Sequence, residues 1–319
     1  MSGSNDHIGD EARRYGTATI AEAVARLRQG GLVAVPTETV YGLAADSANA
    51  AAVAQIYRTK GRPDFNPLIV HVPDMDAARK LGRFSHLALQ FAETFWPGPL
   101  TIVVPKTEDC PVAAAVTAGL DTIALRCPAH PVMRELLQES ALFLAAPSAN
   151  RSGGISPTTA DHVMRSLGEG APLILDGGPC EKGLESTIIA VDGGAYRILR
   201  PGPVTPEQLV EIAGKPAATN DSNAIEAPGQ LPSHYAPAKP LRLNAQTAHP
   251  DEYHIGFGPV VGEQNLSSQA DFAEAASLLF AALHDADASK KPKIAVAPIA
   301  ETGVGIALND RLRRAAAPK

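Results

Sequence analysis

Apolar residues recur along this chain in two rhythms, which together predict an alternation of helices and strands. Over 19–29, TIAEAVARLRQ, the positions Ile20, Ala23, Val24 and Leu27 fall three and four apart, on one face of a helix. Thr19 with Glu22 three residues on is a capping-box pattern, and Gly30-Gly31 ends the helix. Leu32-Val33-Ala34-Val35 is a short unbroken apolar run, the mark of a buried strand. The spacing predicts further helices over 49–60, 76–82, 85–95, 131–138 and 203–213. Between them it predicts strands over 68–72, 100–104, 142–146 and 173–175, with two more ending at Arg126 and Arg200. Because helices and strands mix without strict βαβ regularity, the expected class is α/β (α+β), a twisted mixed sheet with helices. From 215 to 240 the composition shifts to Pro, Ala, Asn and Ser, which reads as a linker, although His234-Tyr235 is unusual in a spacer. Beyond it, strands over 253–257 and 293–297 with helices over 268–285 and 303–314 make a small Rossmann-like α/β domain. The expected organisation is a flexible tail (1–16), a main domain (17–214), the linker (215–240) and the small domain (241–319).

Composition narrows the function classes. A length of 319 residues suits about two domains, and 45% hydrophobic with 19% charged residues suits a folded enzyme. A net charge of −6 and an aromatic share of 5% argue against a broad nucleic-acid-binding face, so any cationic site must be local. Cys110, Cys127 and Cys180 are too few and scattered for a zinc site or disulfide framework, and fit a reducing cytoplasm. The N-terminus has no apolar segment of the signal-peptide kind, and no apolar run approaches the roughly 20 residues needed to span a bilayer. The expectation is a soluble cytoplasmic protein without membrane association.

The chemistry-bearing residues concentrate at predicted strand ends. In KGRPDFNPLIVHV (60–72), Lys60 and Arg62 flank Gly61, Asn66 follows, and His71 closes the apolar run. The KGR triplet alone is equally compatible with a solvated basic loop. PTETVYGLAADS (36–47) puts Thr37, Glu38 and Thr39 directly after a strand, where α/β folds collect ligand contacts, although a polar turn reads similarly. Arg126 ends TIALRCP, and PSANRSGG (147–154) combines small polar residues with paired glycines that a phosphate can approach. Neither GxxxxGK[ST] nor GxGxxG with a following acid is present, which excludes a Walker ATPase and leaves a standard dinucleotide fold unsupported. Trp96 reads as a core anchor.

Taken together, PTETVYGL, KGRPDFNPLIVHV, TIALRCP, APSANRSG, ESTII and YRILRPG resemble the YrdC-like family. The APGQLPSHYAP linker and C-terminal unit resemble its long form, the threonylcarbamoyl-AMP synthases. The linker departs from the family in carrying Gln230 after Pro-Gly and in lacking basic residues before His234. The resemblance implies an enzyme that combines L-threonine, bicarbonate (or CO2) and ATP into threonylcarbamoyl-adenylate and releases pyrophosphate. Other enzymes then transfer the group to tRNA adenosine beside the anticodon. It implies Lys60, Arg62, Ser148 and Asn150 as the catalytic set around the phosphates, with Asn66, Thr122, Ser156, Arg200 and Tyr235 completing the ATP site. Thr37, His71, Arg126, Ala146 and Ser186 would hold threonine, Arg126 facing its carboxylate. Mg2+ is expected to arrive with ATP, on phosphates and water rather than in a protein carboxylate cage. The linker is expected to act as a lid, with tRNA contact weak or indirect. The rival expectation is an RNA-binding module without synthase activity.

Overall fold

The computed structural model describes residues 19–217, 226–228 and 234–318. The tail and part of the linker therefore lie outside the described residues.

The capping box closes as its spacing predicts: Thr19 accepts the Glu22 amide, and the Glu22 carboxylate accepts the Thr19 amide at 2.8 Å. The helix it starts, α1 (Ile20–Arg28), buries Ala23, Val24 and Leu27. β1 (Val33–Val35) pairs antiparallel with β2 (Gly42–Asp46), a strand that the sequence did not predict inside the 36–47 segment, read there as a ligand-contacting stretch or a polar turn. The reason is burial on both faces: Leu43, Ala44 and Ala45 are all fully buried, so the polar–apolar alternation that marks a half-exposed strand is absent. α2 (Ala50–Lys60) starts on the Asn49 side chain, which accepts the Ala51 and Ala52 amides, and stops at Gly61 in the left-handed conformation. Lys60 is thereby fixed on its last turn.

β3 (Ile69–His71), α3 (Met75–Arg79), α4 (His86–Phe95), β4 (Leu100–Pro105), β5 (Thr122–Arg126), α5 (Pro131–Ser140) and β6 (Leu144–Ala145) follow. Then come α6 (Ala160–Leu167), β7 (Leu173–Ile174), β8 (Thr187–Asp192), β9 (Ala195–Arg200) and α7 (Pro206–Ala213). The nine strands form one mixed sheet in the order β7-β1-β2-β6-β3-β5-β4-β8-β9. The expected twisted mixed α/β class is what forms. Trp96 is half-buried, stacks edge-on against Phe84 and donates its indole N–H to the Leu100 carbonyl.

A second sheet of four parallel strands, β10-β13-β11-β12, is built from β10 (Leu241–Arg242), β11 (Glu252–Gly256), β12 (Gln264–Asn265) and β13 (Lys293–Val296). α8 (Phe272–Ala288) and α9 (Val304–Ala316) cover it. α8 runs three residues further at its C-terminal end than its apolar spacing predicts, and its start moves to the Asp271 cap. The two sheets share an apolar cluster in which Val40, Ile155, Leu184 and Tyr235 pack with Leu279, Phe280 and Leu283 of α8. Gly183 lies at this junction with φ 65, where a Cβ would come within 2.4 Å of the Ala276 carbonyl, so only glycine fits.

The pairing sets where the site lies. β3 and β5 run parallel with His71 opposite Arg126, so both end at one edge of the sheet. β2 and β6 run antiparallel to their neighbours, and an isolated bridge joins Gly42 to Ser148 at the same edge.

Candidate active site

Loops leaving that edge enclose a pocket of about 560 Å³, counting its open mouth. Thr37, His71, Arg126, Ala146 and Ser186 all line it, as do Arg62, Ser148, Arg200 and Tyr235. Lys60, Asn66, Asn150 and Ser156 stand immediately behind this lining. Thr122 does not: it begins β5 opposite Pro105, four residues before Arg126, about 13 Å along the strand.

The electrostatics are unbalanced toward positive charge. Lys60 is buried and donates to the Ser148 carbonyl and, at 2.6 Å, to the Asn150 carbonyl. Arg62 donates to the Pro67 carbonyl at 2.9 Å, and Arg200 to the Ser186 carbonyl at 2.9 Å and its hydroxyl at 3.1 Å. Among the described residues, none of these three cations has a carboxylate within ion-pair distance. Burial, reinforced by Arg62, holds the Lys60 ammonium well below the usual lysine range, and burial pushes Arg62 down to about 10. An anion brought to this edge would restore the missing counter-charge.

Arg126 is arranged differently. It donates to Glu38 at 2.7 Å, Thr39 at 2.9 Å and the Gly98 carbonyl at 3.2 Å, so its fork is fixed in position. Burial raises the Glu38 carboxyl, but Arg126 and the hydrogen bond from the Ala129 amide bring it below its ordinary value. His71 is fully enclosed, and burial, with Arg126 beside it, pushes its imidazole down to about 3. It is a neutral hydrogen-bonding group at physiological pH. The Thr37 hydroxyl is committed to the loop, donating to the Val40 carbonyl at 2.7 Å and receiving the Thr39 and Val40 amides.

The SAN segment is braced by Asn150, whose amide group donates to the Arg151 and Gly154 carbonyls at 2.8 Å each. Ser156 donates to Glu185, and Glu185 also accepts from Arg311 of α9 at 2.8 Å. From the linker, His234 and Tyr235 enter the pocket, Tyr235 with φ 63 and only 1% exposed. Ala236 is anchored through its amide on the Gly153 carbonyl at 2.8 Å.

Eight buried side-chain polar atoms lack a hydrogen-bond partner among the described residues, and six belong to this site. They are both amide atoms of Asn66, Nδ1 of His71, Oδ1 of Asn150, Nδ1 of His234 and the Tyr235 hydroxyl. Unpartnered buried polar atoms are costly, so their collection at one pocket marks a surface completed by a polar ligand. Sequence reasoning left open whether Glu38 and Glu185 touch a metal or stabilise turns, and did not find Arg311, which has no local motif.

A mixed-sheet α/β scaffold that gathers cations without carboxylate partners and unpartnered amides at one pocket defines a protein suited to binding a polyanion. The family model described as "Telomere recombination" (Sua5/YciO/YrdC) matches residues 25–202, and that of the threonylcarbamoyl-AMP synthase C-terminal domain matches 204–317. Threonylcarbamoyl-AMP synthase of Bacillus subtilis is 38% identical over 93% of this chain and 92% of its own length. That of Pyrococcus abyssi is 36% identical over 91% of both. The crystal structure of P. abyssi Sua5 complexed with L-threonine superposes with a TM-score of 0.85 at 34% identity, covering 93% of this chain and 94% of that one. The chain belongs to the Sua5/YrdC family, in its two-domain threonylcarbamoyl-AMP synthase form.

Proposed function

We propose that this chain condenses L-threonine, bicarbonate (or CO2) and ATP into threonylcarbamoyl-adenylate, for threonylcarbamoyladenosine modification of tRNA. The observation that carries the reading is the set of three buried cations, Lys60, Arg62 and Arg200, with no carboxylate ion-pair partner among the described residues, at a pocket rich in unpartnered polar atoms. Family membership and the threonine-bound relative support it.

In this reading the threonine amine attacks the carbon of CO2, releasing a proton, or of bicarbonate, expelling water, and gives a carbamate. A carbamate oxygen then attacks the α-phosphorus of ATP, the bond to the β-phosphate oxygen breaks, and pyrophosphate leaves. Lys60, Arg62, Ser148 and Asn150 surround the phosphates, with Asn66, Ser156, Arg200 and Tyr235 completing the nucleotide site. Thr122 reaches it only if the nucleotide extends along β5. Lys60 acts as a point charge and Arg62 as a fork on the developing negative charge, a large contribution in a preorganised site. Threonine lies against Thr37, His71, Arg126, Ala146 and Ser186, its carboxylate on the remaining Arg126 donors and its hydroxyl toward His71. No side chain serves as a nucleophile; the rate comes from orientation and electrostatics.

Mg2+ would come with the nucleotide. Among the described residues no group of three or more His, Cys, Asp or Glu is placed to hold a metal, and Glu38 and Glu185 are each engaged by an arginine. The linker, 215–240, forms the lid, and Tyr235 excludes water from the mixed anhydride. The product passes to a tRNA threonylcarbamoyl transferase, with tRNA itself a weak or indirect partner. The unpaired cysteines suit a cytoplasmic setting, and no described helix is long and apolar enough to cross a membrane.

Pyrophosphate release by the purified protein with ATP, Mg2+ and bicarbonate tests the reading. Release that depends on L-threonine and disappears in Lys60→Ala is expected. Release indifferent to threonine, or salt-sensitive RNA binding without ATP turnover, would replace the synthase with an RNA-binding module.

A further inference from the structure

Arg311 is the largest side chain wholly removed from solvent in the described structure, and it comes from the small domain. Its contacts converge on the pocket. Nε donates to Glu185 at 2.8 Å, one terminal nitrogen to the Pro201 carbonyl at 2.9 Å, and the other to Asp310 at 2.6 Å. Its guanidinium carbon lies 5.1 Å from the centre of the Tyr235 ring, within cation–π range. Phe280 of α8 closes the ring from the same domain at 5.7 Å. One residue of α9 therefore holds a pocket carboxylate, the turn following Arg200 and the linker tyrosine.

Glu185 explains why this matters. It lines the pocket at 6% exposure, and its remaining partner is the Ser156 hydroxyl, which carries no charge. Without Arg311 it would lose its ion-pair partner, keep only the longer-range attraction of Arg200, and set a negative charge against any anion entering the pocket. A buried ion pair is often neutral for fold stability, but removing one partner leaves the other charge exposed to whatever binds next.

We propose that Arg311 is a positioning residue through which the small domain sets the pocket's affinity for nucleotide, by neutralising Glu185 and clamping Tyr235. It touches no substrate. The proposal rests on the synthase reading only for the identity of the anion as ATP, which threonine-dependent pyrophosphate release by the unmodified protein tests separately.

The experiment is equilibrium binding of ATP by titration calorimetry to the full chain, with circular-dichroism melts of each variant. Arg311→Met is expected to weaken ATP binding at least tenfold, and the double variant Arg311→Met, Glu185→Gln to return to within about threefold of the unmodified protein. A merely structural ion pair would also be rescued by removing both partners, so the melts decide: ATP affinity that only tracks the Tm across the variants overturns the proposal. Wild-type affinity in Arg311→Met, or a double variant as weak as the single one, overturns the proposal. If Arg311→Met does not fold, Glu185→Gln alone decides. Glu185→Gln removes the pocket's own carboxylate and leaves Arg311 paired with Asp310 alone, so ATP should bind severalfold tighter, and unchanged or weaker binding refutes the charge argument.

Discussion

Replacing Lys60 by Met removes the ammonium and keeps most of the apolar stem, at a residue only 3% exposed. A unit charge about 4 Å from a phosphate oxygen is worth ~4 kcal/mol at an effective dielectric of about 20. Net of the water both groups give up, hydrogen bonds to charged groups measure about 1.5–3 kcal/mol. ATP affinity should therefore fall roughly tenfold to a hundredfold. The variant has a second signature. Burial and Arg62 hold the Lys60 ammonium well below its ordinary 10.5. The triphosphate favours the protonated form, so binding moves that pKa back up. At pH values between the lowered pKa and 10.5, ATP binding should take up a proton. Calorimetry in buffers of different ionisation enthalpy, stepped upward from about pH 7, reads this uptake directly. It should be present in the unmodified protein and absent from Lys60→Met. Uptake that persists in the variant, or an affinity changed less than threefold, would refute the assignment of Lys60 as the uncompensated charge at the phosphates.

Three further outcomes follow from the same geometry. Glu38→Ala leaves Arg126 buried without its carboxylate and should cost about 3–5 kcal/mol in urea unfolding, with weaker threonine binding. Because the folded Glu38 pKa is depressed, its contribution is present above 4.5 and lost as pH falls through the folded value, so the variant's stability curve should be flatter in that acid window. His71 is already neutral, so kcat/KM for threonine should show no inflection near 6.5 that vanishes in His71→Asn; such an inflection would show that its proton matters. The native state excludes the His71 proton, and this residue's contribution to stability should decline as pH drops from 6.5 toward about 3. Tyr235→Phe keeps the packing against Phe280 and Arg311 but loses the unpartnered hydroxyl, and should raise the KM for ATP by up to about tenfold without lowering the Tm. A lowered Tm with unchanged KM would make Tyr235 a packing residue only.

Local pattern determined a great deal about this protein. The Thr19–Glu22 box is readable because a capping box pairs residues three apart. The helical spacing over 49–60 placed Lys60 at a helix end, and the structure adds that Gly61, in the left-handed conformation, is what stops it. β3 and β5 were legible as apolar runs, so His71 and Arg126 could be put at strand ends before any pairing was known. β2 was not, because a strand buried on both faces has no period of two. What only the tertiary structure decided is how charges are paired across long separations. Glu38 meets Arg126 over 88 residues, and Glu185 meets Arg311 over 126. Sequence spacing carries no trace of such pairs, because they depend on strand register and on how the small domain docks. The same holds for the placement of Tyr235: the linker composition shows a spacer, and only the fold sets its left-handed backbone inside the pocket, against Phe280 and Arg311 and beside Ala236 held on the Gly153 carbonyl. Residue types along the chain told which groups could bind an anion, and packing decided which of them were left without a counter-charge to do so.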